Sequence, residues 1–422
     1  MGEKLFTSYR FIARFFLLLS SISAMILQMW NVDGSKLFYL SVLIAVIYAV
    51  WMILYDIQSF IHCCWPELLF SLACFFSIIT NQSWSDEYSY IRLAEVLMYL
   101  FVALINPGKS KLTALTKEKD FMLYFIIIAT FAMSAGSLLF QILHSMRIFT
   151  LTWEKITYFS NGILAGLYNN GNQAGIYGFL GFMLSYYYWV QNKDWKLFIS
   201  MIVQFVMIML SGSRTMLIVL PIVALILMHQ GVIFQKLTKK QRFLIEIFAI
   251  VGGIILILQV SVTKGQYYWY TDNSLYHVLD RFLGSRLDLW SNAMQLFLRY
   301  PFFGVGLNNI HAAAQDLLPE GSIYRQLRLY ENPHNTIVSL LAYTGIAGTA
   351  AYLLMAVKYI KSLWSLKKDN PDRILIAMCC GLAIGDLSDI ILIFNHRIPV
   401  FVFTYVLGYL WLKQRMQSEA VE

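Results

Sequence analysis

KLTALTKEKDFMLYFIIIATFAMSAGSLLFQIL, residues 111–143, changes character at a single point. Its first ten residues hold three lysines, a glutamate and an aspartate, and from Phe121 to Leu143 no charged side chain occurs. An uncharged apolar run of this length matches the hydrocarbon thickness of a bilayer. The same figure recurs along the 422-residue chain, which is 59% hydrophobic and only 13% charged. A soluble chain carries roughly a quarter charged residues. Repeated runs cut by short polar punctuation predict an all-α polytopic membrane protein. Twelve spans are predicted: 11–30, 37–56, 60–80, 89–106, 121–143, 172–190, 196–211, 214–229, 242–262, 335–357, 373–394 and 397–413.

The net charge of +8 invites a nucleic-acid reading, and the placement of the charge removes it. With the N-terminus inside, the connections 106–120, 191–196, 229–242 and 358–373 are cytoplasmic. They hold Lys109, Lys111, Lys117, Lys119, Lys193, Lys196, Lys236, Lys239, Lys240, Arg242, Lys358, Lys361, Lys367, Lys368 and Arg373. Lys4, Arg10, Lys413 and Arg415 fall on the same side. The outer connections are poor in Lys and Arg for their length, so the basic charge reports topology. The first span lacks a small-residue cleavage site and reads as an uncleaved anchor. Cys63, Cys64, Cys74, Cys379 and Cys380 sit in or beside apolar runs without zinc or disulfide spacing, and read as packing residues.

Three units follow: a bundle of nine spans (1–262), a long outer segment (263–334), and a bundle of three spans with a short cytoplasmic tail (335–422). No internal repeat of the kind common in secondary transporters is visible. The outer segment opens with YYWYTDN (267–273), an aromatic cluster of headgroup type. GSRLDLWSNAMQLFLRYPFFGVGLNN (284–309) follows. Ser285 with Asp288 three residues on resembles a capping box, Pro301 stops the helix, and Trp290, Ala293, Met294 and Phe297 form one face. The segment is therefore expected to lay an amphipathic helix over the bundle.

The residues able to do chemistry gather on this outer side. In YENPHN (330–335) Asn332 is the expected N-cap and Pro333 the first helical residue, which places His334 in the first turn of span 10. The positive helix end disfavours imidazolium and attracts anions. His334 is then either a neutral general base beside an anion site or an interfacial histidine that helps cap its helix. Arg214, at the hinge of MLSGSRTMLIVL (209–220), either clamps a phosphate or snorkels to the headgroups. Arg286, against the dipole in the first turn of the loop helix, either joins an anion site or faces solvent, and Arg281 is a candidate of the same kind. Asp386 and Asp389 in GDLSDIILIFNHRIP (385–399) share a helix face and serve ion pairing or sugar contact. Arg92 and Glu95 read as a local ion pair. GLYNNGNQAG (166–175) is an outer turn that could line an acceptor site. No DxD-like metal motif, P-loop or GxGxxG after a strand is present, so neither a metal nor a nucleotide cofactor is implied.

SGSR at the hinge of spans 7 and 8, RLDLW…PFFGVGLNN in the outer segment and PHN at span 10 occur in that order. Together they resemble the bacterial O-antigen ligases and the related O-antigen or exopolysaccharide polymerases, from about residue 160 to 412. The tail GDLSDIILIFNHRIPV is similar to that of lipopolysaccharide O-antigen ligases, although those place glycine at the position of Asp386. Asp389 matches their acidic position. The resemblance implies a C-type membrane glycosyltransferase-like fold in the bacterial inner membrane, with its active site facing the periplasm. The implied donor is an undecaprenyl-pyrophosphate-linked glycan and the implied acceptor a hydroxyl of lipid A–core oligosaccharide. The implied reaction is metal-independent and inverting. By position His334 is the base, Arg214 and Arg286 bind the pyrophosphate, and Asp389, Asn335 and Arg281 are supporting candidates. A polymerase of the same family is one alternative. A lipid-linked oligosaccharide transporter is another, although its charges would gather at the midplane.

Overall fold

The computed structural model describes residues 2–30, 35–55, 57–97, 112–148, 163–168, 170–229, 286–320, 332–364, 370–387, 392–394 and 397–419. Among these the regular elements are helices: α1 (Gly2–Trp30), α2 (Ser35–Tyr55), α3 (Ile57–Thr80), α4 (Glu87–Leu97), α5 (Leu112–Ser145), α6 (Gly171–Asn192), α7 (Trp195–Leu210), α8 (Arg214–His229), α9 (Leu287–Arg299), α10 (Ile310–Leu317), α11 (Thr336–Trp364), α12 (Asp372–Gly385) and α13 (Ile398–Glu419). Two described stretches, Leu112–Ser145 and Thr336–Ile360, are long and apolar enough by themselves to cross a membrane. Shorter apolar helical stretches occur in α2, α3, α7 and α8. The all-helical architecture is that of a polytopic membrane protein. The predicted ninth span, 242–262, the aromatic cluster and Ser285 lie outside the described residues.

One end of the bundle is tied by buried ion pairs, and it is the end to which the sequence assigns the lysine-rich connections. Arg10 and Arg14 of α1 converge on Glu118 of α5 at 2.8 and 2.7 Å. Lys358 of α11 meets Glu67 of α3 at 2.8 Å, and Tyr359 donates its hydroxyl to the same carboxylate. Lys413 of α13 meets Asp372 of α12 at 2.6 Å. Asp372 also accepts the Tyr187 hydroxyl of α6, which in turn accepts from Lys119 of α5. Charges withdrawn from water survive when paired and hydrogen-bonded. Each pair here joins two different helices, so the buried charge fixes which helices are neighbours.

The opposite end is irregular. α11 is broken at Gly345, whose φ of 60° and ψ of −158° leave the helical region. The PFFGVG turn of the outer segment occupies the break. Val305 and Gly306 donate their N–H groups to the carbonyls of Ala342 and Tyr343 at 2.8 and 3.1 Å. Ile346 and Ala347 donate to the carbonyls of Pro301 and Phe302 at 2.8 and 3.1 Å. Groups orphaned by the break thus find partners in the turn, as buried backbone must. Asn81, the residue after α3, donates to the Gly304 carbonyl at 3.0 Å, and Ser77 of α3 to that of Tyr343. Gly304 is required here: a Cβ would lie 2.4 Å from the Ala342 carbonyl oxygen.

The sequence expectation for the eleventh span is corrected at this end. Helix α12 stops at Gly385, so the eleventh span does not continue as helix to 394 and Asp386 lies in the turn that follows it. There its carboxylate accepts the Leu392 N–H at 3.0 Å, the task of an Asx side chain in a turn. Asp386 therefore lies off the helix on which a shared face with Asp389 was expected, and Asp389 lies outside the described residues. Residues 166–168, within the expected outer turn, are buried, and the Leu167 N–H donates to Ser137 Oγ at 2.9 Å.

Candidate functional site

The PHN stretch folds differently from the expected cap. Asn335, not Asn332, caps α11: its Oδ1 accepts the Val338 N–H at 3.0 Å, three residues on, as an N-cap side chain does. Asn332 instead closes a short turn by accepting the His334 N–H at 2.9 Å. Pro333 is therefore not the first helical residue, and His334 stands just before the cap, outside the first turn. His334 is half-buried with φ of 51°, in the left-handed region. That conformation costs a non-glycine residue roughly 1–2 kcal/mol. Such strain persists only where neighbours impose it.

The neighbours can be named. Asn335 donates through Nδ2 to the Leu387 carbonyl at 2.8 Å, and Thr336 donates its N–H to the Asp386 carbonyl at 3.2 Å. These two bonds fasten the start of α11 to the end of α12. From the other side, Trp290 of α9 donates its indole N–H to the Pro333 carbonyl at 2.7 Å. His334 is bracketed by a helix cap and an indole clamp.

Arg286 occupies the N-cap position of α9 without a side-chain cap bond, and its carbonyl accepts the Trp290 N–H at 2.9 Å. The expected Ser285 start lies outside the described residues, as does Arg281. Residues four apart on a helix are side-chain neighbours. The indole that holds Pro333 thus brings the Arg286 end of α9 to the His334 segment. The inner face of α9 is Leu289, Ala293 and Leu296, with Trp290, Met294 and Phe297 half-buried beside it, one position round from the expected stripe.

Arg214 is the first residue of α8. Ser213 precedes it and accepts the Met216 N–H, while Gly212, with φ of 60°, turns the chain. Helix α8 packs on α12, whose far end carries Asp386. Arg214 thus opens a helix that flanks α12. Arg92 pairs with Glu95 at 2.8 Å as expected, and also donates to the Phe394 carbonyl at 2.6 Å, anchoring the turn between α12 and α13.

Sequence reading assigned Trp290 to an amphipathic face and gave it no role beside His334. Its signal was the indole itself, a polar N–H that seeks a partner when buried. Asn81 and Ser77, which hold the turn at the α11 break, carried no signal beyond being polar residues in an apolar run.

Residues 199–353 match the family described as O-antigen ligase. The matched stretch runs from within α7 into α11 and contains Arg214, Arg286, Trp290, His334 and Asn335. No curated protein matches the chain.

Proposed function

We propose that the chain, which matches the family described as O-antigen ligase over residues 199–353, is an O-antigen ligase. It transfers glycan from undecaprenyl pyrophosphate to a hydroxyl of the lipid A–core oligosaccharide, on the periplasmic side of the inner membrane. The observation that supports the reading is the Trp290–Pro333 hydrogen bond, which ties α9, the helix that begins after Arg286, to the residue before His334.

His334 accepts the proton of the acceptor hydroxyl as that oxygen attacks the anomeric carbon. The bond between that carbon and the phosphate oxygen breaks on the opposite face, inverting the configuration. Undecaprenyl pyrophosphate leaves, and the negative charge gathering on it is met by Arg214 and Arg286. Fixed cations aimed at developing charge accelerate such a step without reorganising. General-base assistance contributes a factor on the order of 10²–10⁴. The two arginines fill the electrostatic role, so the proposed step is metal-independent.

The test is reconstitution of purified protein with undecaprenyl-pyrophosphate O-polysaccharide and rough lipopolysaccharide, beside a His334→Ala variant. Glycan moved onto the core by wild type alone supports a ligase with His334 as base. Lengthening of the donor without core transfer makes the protein a polymerase. Absence of both, where a known ligase works, leaves the transporter reading.

A further inference from the structure

Helix α7 is short for a segment that crosses a bilayer. Its 16 residues, Trp195–Leu210, rise roughly 24 Å, against a hydrocarbon thickness of about 30 Å. Any tilt shortens that reach further. The inner end is well marked. Asp194 caps it by accepting the Lys196 N–H at 2.9 Å, Trp195 is 65% exposed, and Lys193 Nζ lies 4.3 Å from the centre of the Trp189 ring. Indoles and lysines of this kind sit at the headgroup boundary. Helix α12 is shorter still, with 14 residues, roughly 21 Å, from Asp372 to Gly385.

The neighbouring α5 supplies the comparison. Both α5 and α7 run antiparallel to α6, whose Gly181 and Tyr188 meet Thr130 and Asp120 of α5, and whose Gly178 and Ser185 meet Ile208 and Ser200 of α7. Helices α5 and α7 therefore point the same way, and buried hydrogen bonds fix their register. Ser134 donates to Gln204 Oε1 at 2.9 Å, and Gln204 Nε2 donates to Thr130 Oγ1 at 3.2 Å. Exposed apolar side chains run along α5 from Phe121 to Ile142, roughly 32 Å, and along α7 only from Phe198 to Met209, roughly 17 Å. Measured from the shared level of Gln204, the stripe of α7 stops roughly 8 Å below that of α5.

The backbone beside the end of α7 agrees with this. Residues 163–168 are non-helical, and Leu164 donates its N–H to the Leu210 carbonyl at 2.7 Å while Leu167 donates to Ser137 Oγ at 2.9 Å. Ser137 lies six residues, roughly 9 Å, short of the end of the α5 apolar run at Leu143. Non-helical backbone at such a depth is found only where protein encloses it or water reaches it.

We propose that the bilayer beside α7 is thinned from its outer side by roughly 6 Å, so that lipid headgroups and water descend to the level of the Ser211–Arg214 hinge. The partner is the outer lipid surface, because the side chains that end early are the exposed apolar ones. A span shorter than the hydrocarbon is matched by lipid drawn in around it. The inside and outside senses come from the lysine-bearing connection 191–196, and the assignment stands apart from the ligase reading.

The test is spin-label depth measurement in dioleoylphosphatidylcholine nanodiscs, from relaxation by oxygen and by a water-soluble nickel chelate. Ile202→Cys, Phe205→Cys and Met209→Cys on α7 and Leu139→Cys on α5 carry the label one at a time, all at exposed positions. Leu139 lies roughly 3 Å farther out than Met209 by the Gln204 register. In a flat bilayer Met209 is therefore the drier of the two. The expected result is the inversion, with Met209 open to the nickel chelate and Leu139 dry. Along α7 the driest position should fall near Ile202, a shift of roughly 3 Å inward from the Phe205 level of a flat bilayer. Met209 drier than Leu139 overturns the proposal, as does Met209 shielded from both reagents, which would mean that protein covers it. The labels go into a chain whose own cysteines are replaced by serine. If that chain does not melt cooperatively, the natural background serves, since Cys64, Cys74 and Cys379 are buried and the unlabelled parent gives the correction. Transfer is not measured, so an inactive protein can still show the inversion, and an active one can lack it.

Discussion

The indole N–H of Trp290 and the carbonyl of Pro333 are 2.7 Å apart, and this bond joins α9 to the residue before His334. It is local to neither segment, since the two are 43 positions apart. Trp290→Phe keeps the aromatic packing and removes only the donor. Transfer kinetics of this variant should show kcat down roughly tenfold or more with the fold retained, because small misplacement of a reacting group is costly in rate. An unchanged kcat would mean that the indole does not position His334.

His334→Ala is expected to lower transfer by a factor on the order of 10² or more while leaving donor binding within about twofold. Equilibrium binding of undecaprenyl pyrophosphate to detergent-solubilised protein separates the two effects. Equal loss of binding and of rate would make His334 a binding group.

Arg214→Lys and Arg286→Lys keep the charge and lose the planar fork that grips phosphate from two sides. Each should weaken binding of undecaprenyl pyrophosphate by roughly tenfold, and the alanine variants by more. Wild-type affinity in both lysine variants would place the pyrophosphate elsewhere.

Gly345→Ala probes the break itself. The added Cβ would fall 2.5 Å from the carbonyl oxygens of Pro301 and Phe302, at a φ of 60°. A stability loss of about 2–4 kcal/mol is expected. Thermal melting in detergent measures it, and a variant as stable as wild type would show that the turn can withdraw from the break.

Glu118→Gln leaves Arg10 and Arg14 buried against a neutral amide. Removing one member of a buried ion pair costs about 3–5 kcal/mol. The proposed base, His334, is in the segment that opens α11, away from this pair, so the folded fraction should keep its kcat. The variant's yield and melting point should fall while its specific activity holds; a loss of specific activity would show that the two ends are coupled.

Much of the fold was legible because hydropathy reports bilayer crossing directly. The apolar runs at 121–143 and 214–229 lie within α5 and α8 as read. Where backbone geometry decides, the sequence spoke less clearly. Both Asn332 and Asn335 can cap a helix, and the choice of Asn335 rests on Leu387, 52 positions away, accepting its amide. The end of α12 at Gly385 was hidden because the apolar residues after it look the same in a turn as in a helix. His334, Arg214 and Arg286 stood out as ionisable groups at the edges of apolar runs. Trp290 did not, since an indole acquires meaning only from what lies opposite it.

The interlock between PFFGVG and the broken α11 limits how this protein can vary. Four backbone hydrogen bonds pass between residues 301–306 and 342–347, so the outer segment is not a detachable module on a finished scaffold. A chimera that imports the loop of a relative would need to import residues 342–347 with it, or leave buried amides and carbonyls unmatched on both sides of the graft. Insertions are expected to be rejected between Pro301 and Gly306. Within this lineage, changes of substrate would then have to arise around the interlock and leave it intact.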